Sequence, residues 1–302
     1  MMLNWNPDKS RDFTRRTLGF RHDLHERPMF SDEGLASVLD RYPREQLGVF
    51  TMGRDPVAWE TWRRGVAGEL SGAELLAAAE AGRIWLNLRR TNEYLPDYAA
   101  LCDEIFAEKE RGAPGLKTFK RDLGLLISSA EAQVFYHLDV ALVSLWQIRG
   151  EKQVFVYPVK EPFVSEAQLE RIVLRETAEQ FAFDPAWDAS ADVARLTPGT
   201  MVTWPQNAPH RIENGPMLNV SLSLEFMTPA ALLRANVIYA NGVLRRRMGM
   251  SPRLRDGAGP VNLAKLGVAR AAKALNLQRP NERVLTPSFR LDPAKPGMLL
   301  PA

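Results

Sequence analysis

Residues 137–158 read HLDVALVSLWQIRGEKQVFVYP, and this stretch is the strongest indication of the fold. Two short runs rich in branched and aromatic residues flank Arg149–Gly150, which we interpret as a tight hairpin connection between two strands. The full set of such β-rich runs is 123–128, 134–136, 143–148, 153–157, 194–196, 201–204 and 218–226. Many short strands divided by turns, such as the turn at Thr197–Thr200, predict an antiparallel sandwich or barrel.

Helical patterns lie on both sides of this β-rich region and once inside it, at about 165–179. On the N-terminal side, Ser71 and Glu74 form a predicted capping box ahead of an alanine-rich helix. On the C-terminal side, two helical patterns begin near Pro229 and near Asn262. We therefore predict a mixed supporting region at 1–120, a β-rich core at 121–228, and a basic helical region with a tail at 229–302.

The composition excludes several classes of protein. The 302 residues are 45% hydrophobic and 25% charged, which argues against a disordered or fibrous chain. No apolar run approaches the length needed to cross a membrane, and the N-terminus lacks the apolar core of a secretory signal. Cys102 is the single cysteine, which excludes a disulfide framework and a cysteine-rich zinc site. We expect a cytoplasmic protein in which Cys102 is a buried structural thiol.

The net charge of +3 conceals an uneven distribution. Residues 231–302 contain 13 basic and 3 acidic side chains, whereas residues 1–230 contain 26 basic and 33 acidic ones. A basic tail on an acidic body can indicate a polyanionic partner or a dimer contact. For the triplet Arg245–Arg247 we favour a solvated helix end over a nucleic-acid contact, because no aromatic residues are interleaved with it.

Three residues of the β-rich region have the chemistry of a metal site. His137 and Asp139 are two residues apart at the end of a strand pattern, where side chains of an extended backbone face the same way. His210 lies in a second β-rich context, and a closed sheet could bring it opposite the first pair. Two histidines and one carboxylate with open positions are the ligand set of non-haem Fe(II) oxygenases.

Lys152 is the fourth residue of interest. By strand parity it shares a face with Val154 and Val156, and an inward-facing ammonium would need an anionic partner such as a dicarboxylate. If the parity is reversed, Lys152 is exposed to solvent, which is usual for a lysine.

The motifs in this region resemble those of the JmjC-type, cupin-like 2-oxoglutarate oxygenases, a group that includes the asparaginyl hydroxylase of hypoxia-inducible factor. The order H-x-D, Q-I-x-G-x-K and Y-P of that group is present without a gap between His137 and Pro158. The second block, LTPGTMVTWPQNAPHRIENGPMLNVSLSLEF at 196–226, is similar to the segment of the family that carries the distal histidine.

The resemblance implies a double-stranded β-helix, a jelly-roll relative, with an N-terminal α/β layer and C-terminal helices that often dimerise. It implies His137, Asp139 and His210 as iron ligands and catalytic residues, and Lys152 as the partner of the 2-oxoglutarate C5 carboxylate. Tyr136 and Ser223 are the candidates for further co-substrate contacts, since Val134 and Val143 stand where polar residues are frequent in the family.

We accordingly expect an Fe(II)- and 2-oxoglutarate-dependent dioxygenase, a hydroxylase that acts on a protein side chain or a small molecule. Two alternatives remain open. One is a cupin-type metalloenzyme that uses the same triad without 2-oxoglutarate, and the other is a non-catalytic regulator whose basic tail binds nucleic acid. A homodimer through the C-terminal helices is favoured over a nucleic-acid partner, and no membrane association is expected.

Overall fold

The strands follow the predicted runs, some with longer bounds and others shifted by one residue. The computed structural model describes residues 3–277 and 285–302. Its strands in chain order are β1 (Leu18–Arg21), β2 (Gly48–Thr51), β3 (Arg63–Val66), β4 (Trp85–Leu88), β5 (Phe119–Ser128), β6 (Gln133–His137), β7 (Leu142–Arg149), β8 (Lys152–Val156), β9 (Asp192–Leu196), β10 (Thr200–Thr203), β11 (His210–Asn214), β12 (Asn219–Met227), β13 (Phe289–Leu291) and β14 (Leu299–Pro301).

The helices are capped at several of their N-termini by side chains, those of Asn6, Ser31, Ser71, Ser165 and Thr228. They are α1 (Pro7–Asp12), α2 (Asp32–Arg41), α3 (Gly72–Ala81), α4 (Thr91–Tyr94), α5 (Pro96–Gly112), α6 (Glu166–Val173), α7 (Pro229–Met248) and α8 (Pro260–Ala274). The capping box of Ser71 and Glu74 is confirmed at the start of α3, and Ser165 with Gln168 forms a second one ahead of α6. In the described part of the chain, no helix has the length and apolar character required to span a bilayer.

Two facing sheets form the centre of the molecule, and their strands pair antiparallel except for β3 with β13 in the larger sheet. The larger sheet contains the strand order β10-β7-β12-β5, and the smaller sheet has the order β6-β11-β8-β9. Strand β1 extends the larger sheet on one side, and β4, β2, β3, β13 and β14 extend it on the other. Facing sheets with this crossing connectivity form a jelly-roll core, and the predicted fold class is confirmed. The larger sheet thus contains strands from all three predicted regions, whose boundaries stay a prediction.

The hairpin predicted at Arg149–Gly150 is wrong, although the turn exists. Strand β7 pairs with β10 and β12, whereas β8 pairs with β11 and β9, so the two strands belong to different sheets. Gly150 has a φ of 72°, a conformation that glycine adopts without a steric cost, and the chain crosses there from one sheet to the other. The alternation of side chains predicts strands but does not show which strand pairs with which.

The alternation along each strand separates the main core from the interior between the sheets. On β12, Val220, Leu222 and Leu224 pack into the large core beneath the N-terminal helices. The intervening Ser221, Ser223 and Glu225 therefore face the interior of the barrel. A second apolar cluster inside the barrel includes Val143, Leu145, Val154, Val156 and Ile212.

Helix α7, the first helix of the C-terminal region, docks onto α6 through a buried carboxylate. Glu170 is 2% exposed, and its carboxylate lies 3.2 Å from the Arg245 guanidinium and 3.1 Å from that of Arg246. Arg246 also pairs with Glu176 at 2.6 Å, and Arg247 donates to the Leu277 carbonyl. Arg245 and Arg246 are therefore paired with a buried carboxylate, which the sequence did not predict, whereas Arg247 lies on an exposed helix end as the sequence favoured.

We predict that Gly72→Ala weakens the packing of α2 against α3. A Cβ at Gly72 would overlap the backbone carbonyl of Ala36, which no side-chain rotation can relieve. Overpacking of this kind costs about 1–3 kcal/mol. Urea denaturation followed by circular dichroism should show the loss. As the matched control, Gly267→Ala on α8 meets nothing within 4 Å and should stabilise by about 0.4–1 kcal/mol; equal shifts in both variants would contradict the packing argument.

Candidate metal centre

Two histidines face each other across neighbouring strands of the smaller sheet. His137 ends β6, His210 begins β11, and the antiparallel register places them directly opposite one another. Their ring centroids are 4.1 Å apart. The sequence patterns did not identify β11 as a strand, so they could suggest that His210 approaches His137 but could not supply the register that pairs the two residues.

A β-bulge sets which side chains of β6 face the barrel. Between Val134 and His137 the strand advances three residues, while β11 advances only two between Ile212 and His210. The extra residue reverses the alternation, so Val134 and His137 both face inward and Tyr136 faces outward. Val134 accordingly packs against the apolar cluster inside the barrel.

Asp139 completes the group from the connection that follows β6. Its Oδ2 lies 3.3 Å from Nε2 of His210, and its Oδ1 lies 4.0 Å from Nε2 of His137. One ligand atom from each of the three residues lies within 4.8 Å of the others. Two imidazole nitrogens and a carboxylate oxygen at these separations fit a single divalent transition-metal ion and leave other coordination positions for exogenous ligands.

Backbone contacts orient both imidazoles for metal binding. Nδ1 of His137 lies 2.7 Å from the carbonyl oxygen of Phe135, and Nδ1 of His210 lies 3.0 Å from that of Ala208. Because a carbonyl oxygen only accepts hydrogen bonds, each Nδ1 carries the proton and each Nε2 keeps its lone pair. Both lone pairs belong to the atoms that face Asp139, and this is the tautomer that a metal ligand requires.

The surroundings of His210 keep its ring neutral. Burial, and then the nearby His137, lower its pKa to about 4. The indole of Trp204 lies against the ring, with centroids 4.5 Å apart. A neutral imidazole is ready to coordinate a cation at physiological pH without first losing a proton.

Lys152 is buried inside the same barrel, as its parity with Val154 and Val156 predicts. It is 6% exposed, and burial lowers its pKa from 10.5 to about 7. Within residues 3–277 and 285–302, no hydrogen bond or ion pair to its ammonium group is found. Along β8 it lies four residues from Val156, the residue opposite His210, which corresponds to about 13 Å. The alternative that Lys152 is exposed to solvent is therefore excluded.

The structure separates the other two candidates for co-substrate contacts. Tyr136 is corrected: its hydroxyl donates to the Phe163 carbonyl in an aromatic cluster on the outer face of the smaller sheet. The bulge is the physical reason, because it separates Tyr136 from Val134, whose inward face Tyr136 would share in a regular strand. Ser223 lies on the interior face of β12, opposite Leu145 and partly exposed, so its position is compatible with the predicted contact.

Sequence reasoning missed an ion pair at the barrel wall beside the metal ligands. Glu225 faces the interior from β12, and its Oε1 lies 3.0 Å from Nη2 of Arg89, just past β4. Burial and then the charge of Asp139 raise the pKa of Glu225 well above its usual range. The alternation of polar Ser221, Ser223 and Glu225 on β12 was the signal that could have placed Glu225 inside.

Solved structures show the same fold. The X-ray structure of E. coli ycfD is 18% identical to this chain, covers 93% of it and 70% of that protein, and superposes with a TM-score of 0.51. A structure of YcfD described as a ribosomal oxygenase, in complex with cobalt and 2-oxoglutarate, is 17% identical, covers 91% and 68%, and has the same TM-score. At this identity the likeness shows the fold alone. No protein-family model and no curated protein sequence matches the chain.

We predict that Lys152→Met stabilises the metal-free protein near pH 7 by about 1–4 kcal/mol, because a well-packed apolar side chain avoids the cost of a buried ammonium. The sign of the pH dependence follows from the lowered pKa. Between about pH 7 and 10.5 the unfolded chain binds more protons than the folded one, so stability rises with pH in that window.

Removal of Lys152 should reduce this rise by about 1.4 kcal/mol per pH unit. Burial also lowers the pKa of Lys109 to about 7, so Lys109 would maintain the remaining rise of stability with pH. Urea unfolding in the presence of a chelator, from pH 7 to 9.5, measures both effects. The exposed Lys160→Met serves as the control, and a slope unchanged by Lys152→Met would show that folding does not lower the pKa of Lys152.

Proposed function

We propose that this chain is an Fe(II)- and 2-oxoglutarate-dependent dioxygenase that hydroxylates its substrate. One observation supports the proposal most strongly: a triad of metal-ligand type shares the interior of one jelly-roll barrel with a buried lysine that has no anionic partner among the residues described. The triad accounts for a cation, and Lys152 accounts for an anion. The fold shared with YcfD, for which a complex with cobalt and 2-oxoglutarate is described, supports the same pairing of ligands.

In this proposal His137, Asp139 and His210 hold the iron, and Lys152 binds the distal carboxylate of 2-oxoglutarate. Ser223 is a further candidate for contact with the co-substrate from the opposite sheet. Iron and 2-oxoglutarate, when bound, would supply the oxidation of a C–H bond, with 2-oxoglutarate converted to succinate and CO₂.

The protein's own residues bind, orient and exclude water. The carbonyls of Phe135 and Ala208 fix the tautomer of the two histidines. The branched side chains between the metal end and Lys152, including Val154 and Val156, keep that part of the interior apolar. An apolar environment strengthens the attraction between the ammonium and a carboxylate.

The substrate class is a protein side chain or a small molecule. The description of YcfD as a ribosomal oxygenase favours a protein substrate for this chain as well. The wall formed by Glu225 and Arg89 borders the metal group, and beside it lies a cavity of about 350 Å³ lined by Tyr42, Gln46, Asn87, Arg89, Arg90 and Asp122. This polar side of the barrel is where we expect the substrate to enter.

The proposal predicts that one substitution abolishes metal binding and that another weakens 2-oxoglutarate binding alone. Calorimetry of 2-oxoglutarate binding, with Fe(II) under anaerobic conditions or with Co(II), should show binding to the unaltered protein. His137→Ala should abolish metal binding, whereas Lys152→Ala should retain the metal and weaken 2-oxoglutarate by at least tenfold, as expected for the loss of a buried charge-assisted contact. Lys109→Met is the matched control, because Lys109 is equally buried but bonds Ser144 and lies among the aromatic rings of the other core.

The outcomes distinguish the alternatives. Metal binding without 2-oxoglutarate binding would favour a cupin-type metalloenzyme, and binding of both without succinate formation would favour a regulator. Absence of metal binding by the unaltered protein would refute the proposal. Equal effects of the Lys152 and Lys109 variants on 2-oxoglutarate would also contradict the role given to Lys152.

We further propose that the C-terminal helices form a homodimer contact. Helix α8 exposes Val261 and Leu263, which are 49% and 53% exposed, and Leu275 just beyond it is 68% exposed. These exposed apolar side chains all belong to the C-terminal helical region, which is why we place the dimer contact there. Nucleic-acid binding is less favoured, because Arg245 and Arg246 are already paired with Glu170. We also propose a cytoplasmic location, supported by the buried thiol of Cys102.

The dimer proposal predicts that Leu263→Glu shifts the protein from dimer to monomer. Size-exclusion chromatography with light scattering measures the mass directly. The control is Val193→Glu, because Val193 is comparably exposed but lies on β9, outside the C-terminal helices. An unaltered protein that is monomeric at micromolar concentration would contradict the proposal.

A further inference from the structure

The connection that carries Asp139 is held from outside the barrel by the helices that follow it. Leu138, between the two ligands, is fully buried and packs with Leu169 and Ile172 of α6 and Ile238 of α7. A ligand on a connection of this kind lacks the ladder of hydrogen bonds that fixes a ligand on a strand. Its position therefore depends on contacts of its own backbone and neighbours.

Two amide side chains supply those backbone contacts. Nδ2 of Asn207 donates to the carbonyl oxygen of Asp139 at 3.0 Å. Nε2 of the preceding Gln206 donates to the carbonyl of Val140 at 2.8 Å and to that of Ala231 on α7 at 3.0 Å. The segment before His210 thus connects the Asp139 turn to the start of the C-terminal helix.

Arg234 of α7 fixes the orientation of the Asn207 amide. Its Nε donates to Oδ1 of Asn207 at 3.2 Å, and its Nη1 pairs with Asp256. A guanidinium group only donates, so the amide oxygen must face Arg234 and the amide nitrogen must face the Asp139 carbonyl. The positive charge also polarises the amide and strengthens its donation to that carbonyl.

The backbone at Asn207 suits this role. Asn207 is 2% exposed and has a φ of 63°, a left-handed conformation that asparagine adopts more readily than most residues. The turn points its side chain back towards the metal ligands rather than into the following strand. Asn207 is therefore placed by its own conformation and oriented by Arg234.

We propose that Asn207 is a positioning residue for the ligand Asp139, and that Arg234 acts through Asn207. Helix α7, from the basic C-terminal region, is then a functional part of the metal centre rather than only an attachment surface. The inference rests on the proposed metal-binding function. Groups that orient metal ligands from behind typically change metal affinity by about 10–100-fold when they are removed.

The test measures Co(II) affinity and the Co(II) absorption spectrum of the full-length protein without 2-oxoglutarate or substrate. Asn207→Gly keeps the left-handed backbone accessible and removes only the amide. It should weaken Co(II) binding by about 10–100-fold and shift the absorption bands. Arg234→Met should act in the same direction with a smaller loss. Arg247→Met, on the same helix with its bond to the Leu277 carbonyl, should match the unaltered protein.

The double variant Asn207→Gly/Arg234→Met decides whether Arg234 works through Asn207. If it does, the double variant binds Co(II) no more weakly than Asn207→Gly alone, because residues in one network are not additive. Fully multiplicative losses would overturn the pathway through Asn207. A lower melting temperature with unchanged affinity and spectrum in both single variants would overturn the positioning role and leave only a structural one.

These outcomes are separable from failure of the proposed function. Unaltered protein that binds Co(II) but neither binds nor turns over 2-oxoglutarate would refute the dioxygenase, while the variants would still decide this inference. Unaltered protein that does not bind Co(II) would refute both.

Discussion

The register that places His137 opposite His210 is the constraint behind every other feature of the site. It brings two imidazoles within one coordination sphere, and the carbonyls behind them leave their Nε2 atoms unprotonated. Asp139 then supplies the negative charge, and the three ligand atoms have a geometry that a divalent cation satisfies. A slip of one residue in β11 would turn His210 to the outer face and remove the site, because alternate residues of a strand face opposite ways.

A buried basic group lies in the same barrel, at a distance from the metal ligands. Lys152 is buried among branched side chains, and burial alone accounts for the fall in its pKa. Burial of this amine without an anion makes the ligand-free protein less stable, and a strongly shifted pKa of this kind is frequent at functional sites. Lys109 is a useful contrast, since it is just as buried but has Ser144 and aromatic faces as partners and lies outside the barrel.

Local patterns predicted those parts of the molecule that depend on neighbours in sequence. The alternation in 143–157, the cap at Ser71 and the inward parity of Lys152 all follow from such patterns. The hairpin at Gly150 was wrong and strand β11 was missed, because sheet membership depends on contacts between residues far apart in sequence. Tyr136 was misplaced because a bulge adds one residue to β6 and takes Tyr136 off the face of Val134. No residue type in that strand predicts a bulge. No sequence pattern indicated the proposed role of Asn207, since that role depends on Arg234, 27 residues later.

A crystal structure of the protein grown with Co(II) and 2-oxoglutarate is the most direct test of the metal and co-substrate site. We predict one metal ion bound by Nε2 of His137, the Asp139 carboxylate and Nε2 of His210, with the 2-oxoglutarate molecule on the metal at one end and on Lys152 at the other. A metal ion held elsewhere, or a metal-bound site in which no anion approaches the ammonium of Lys152, would contradict this assignment.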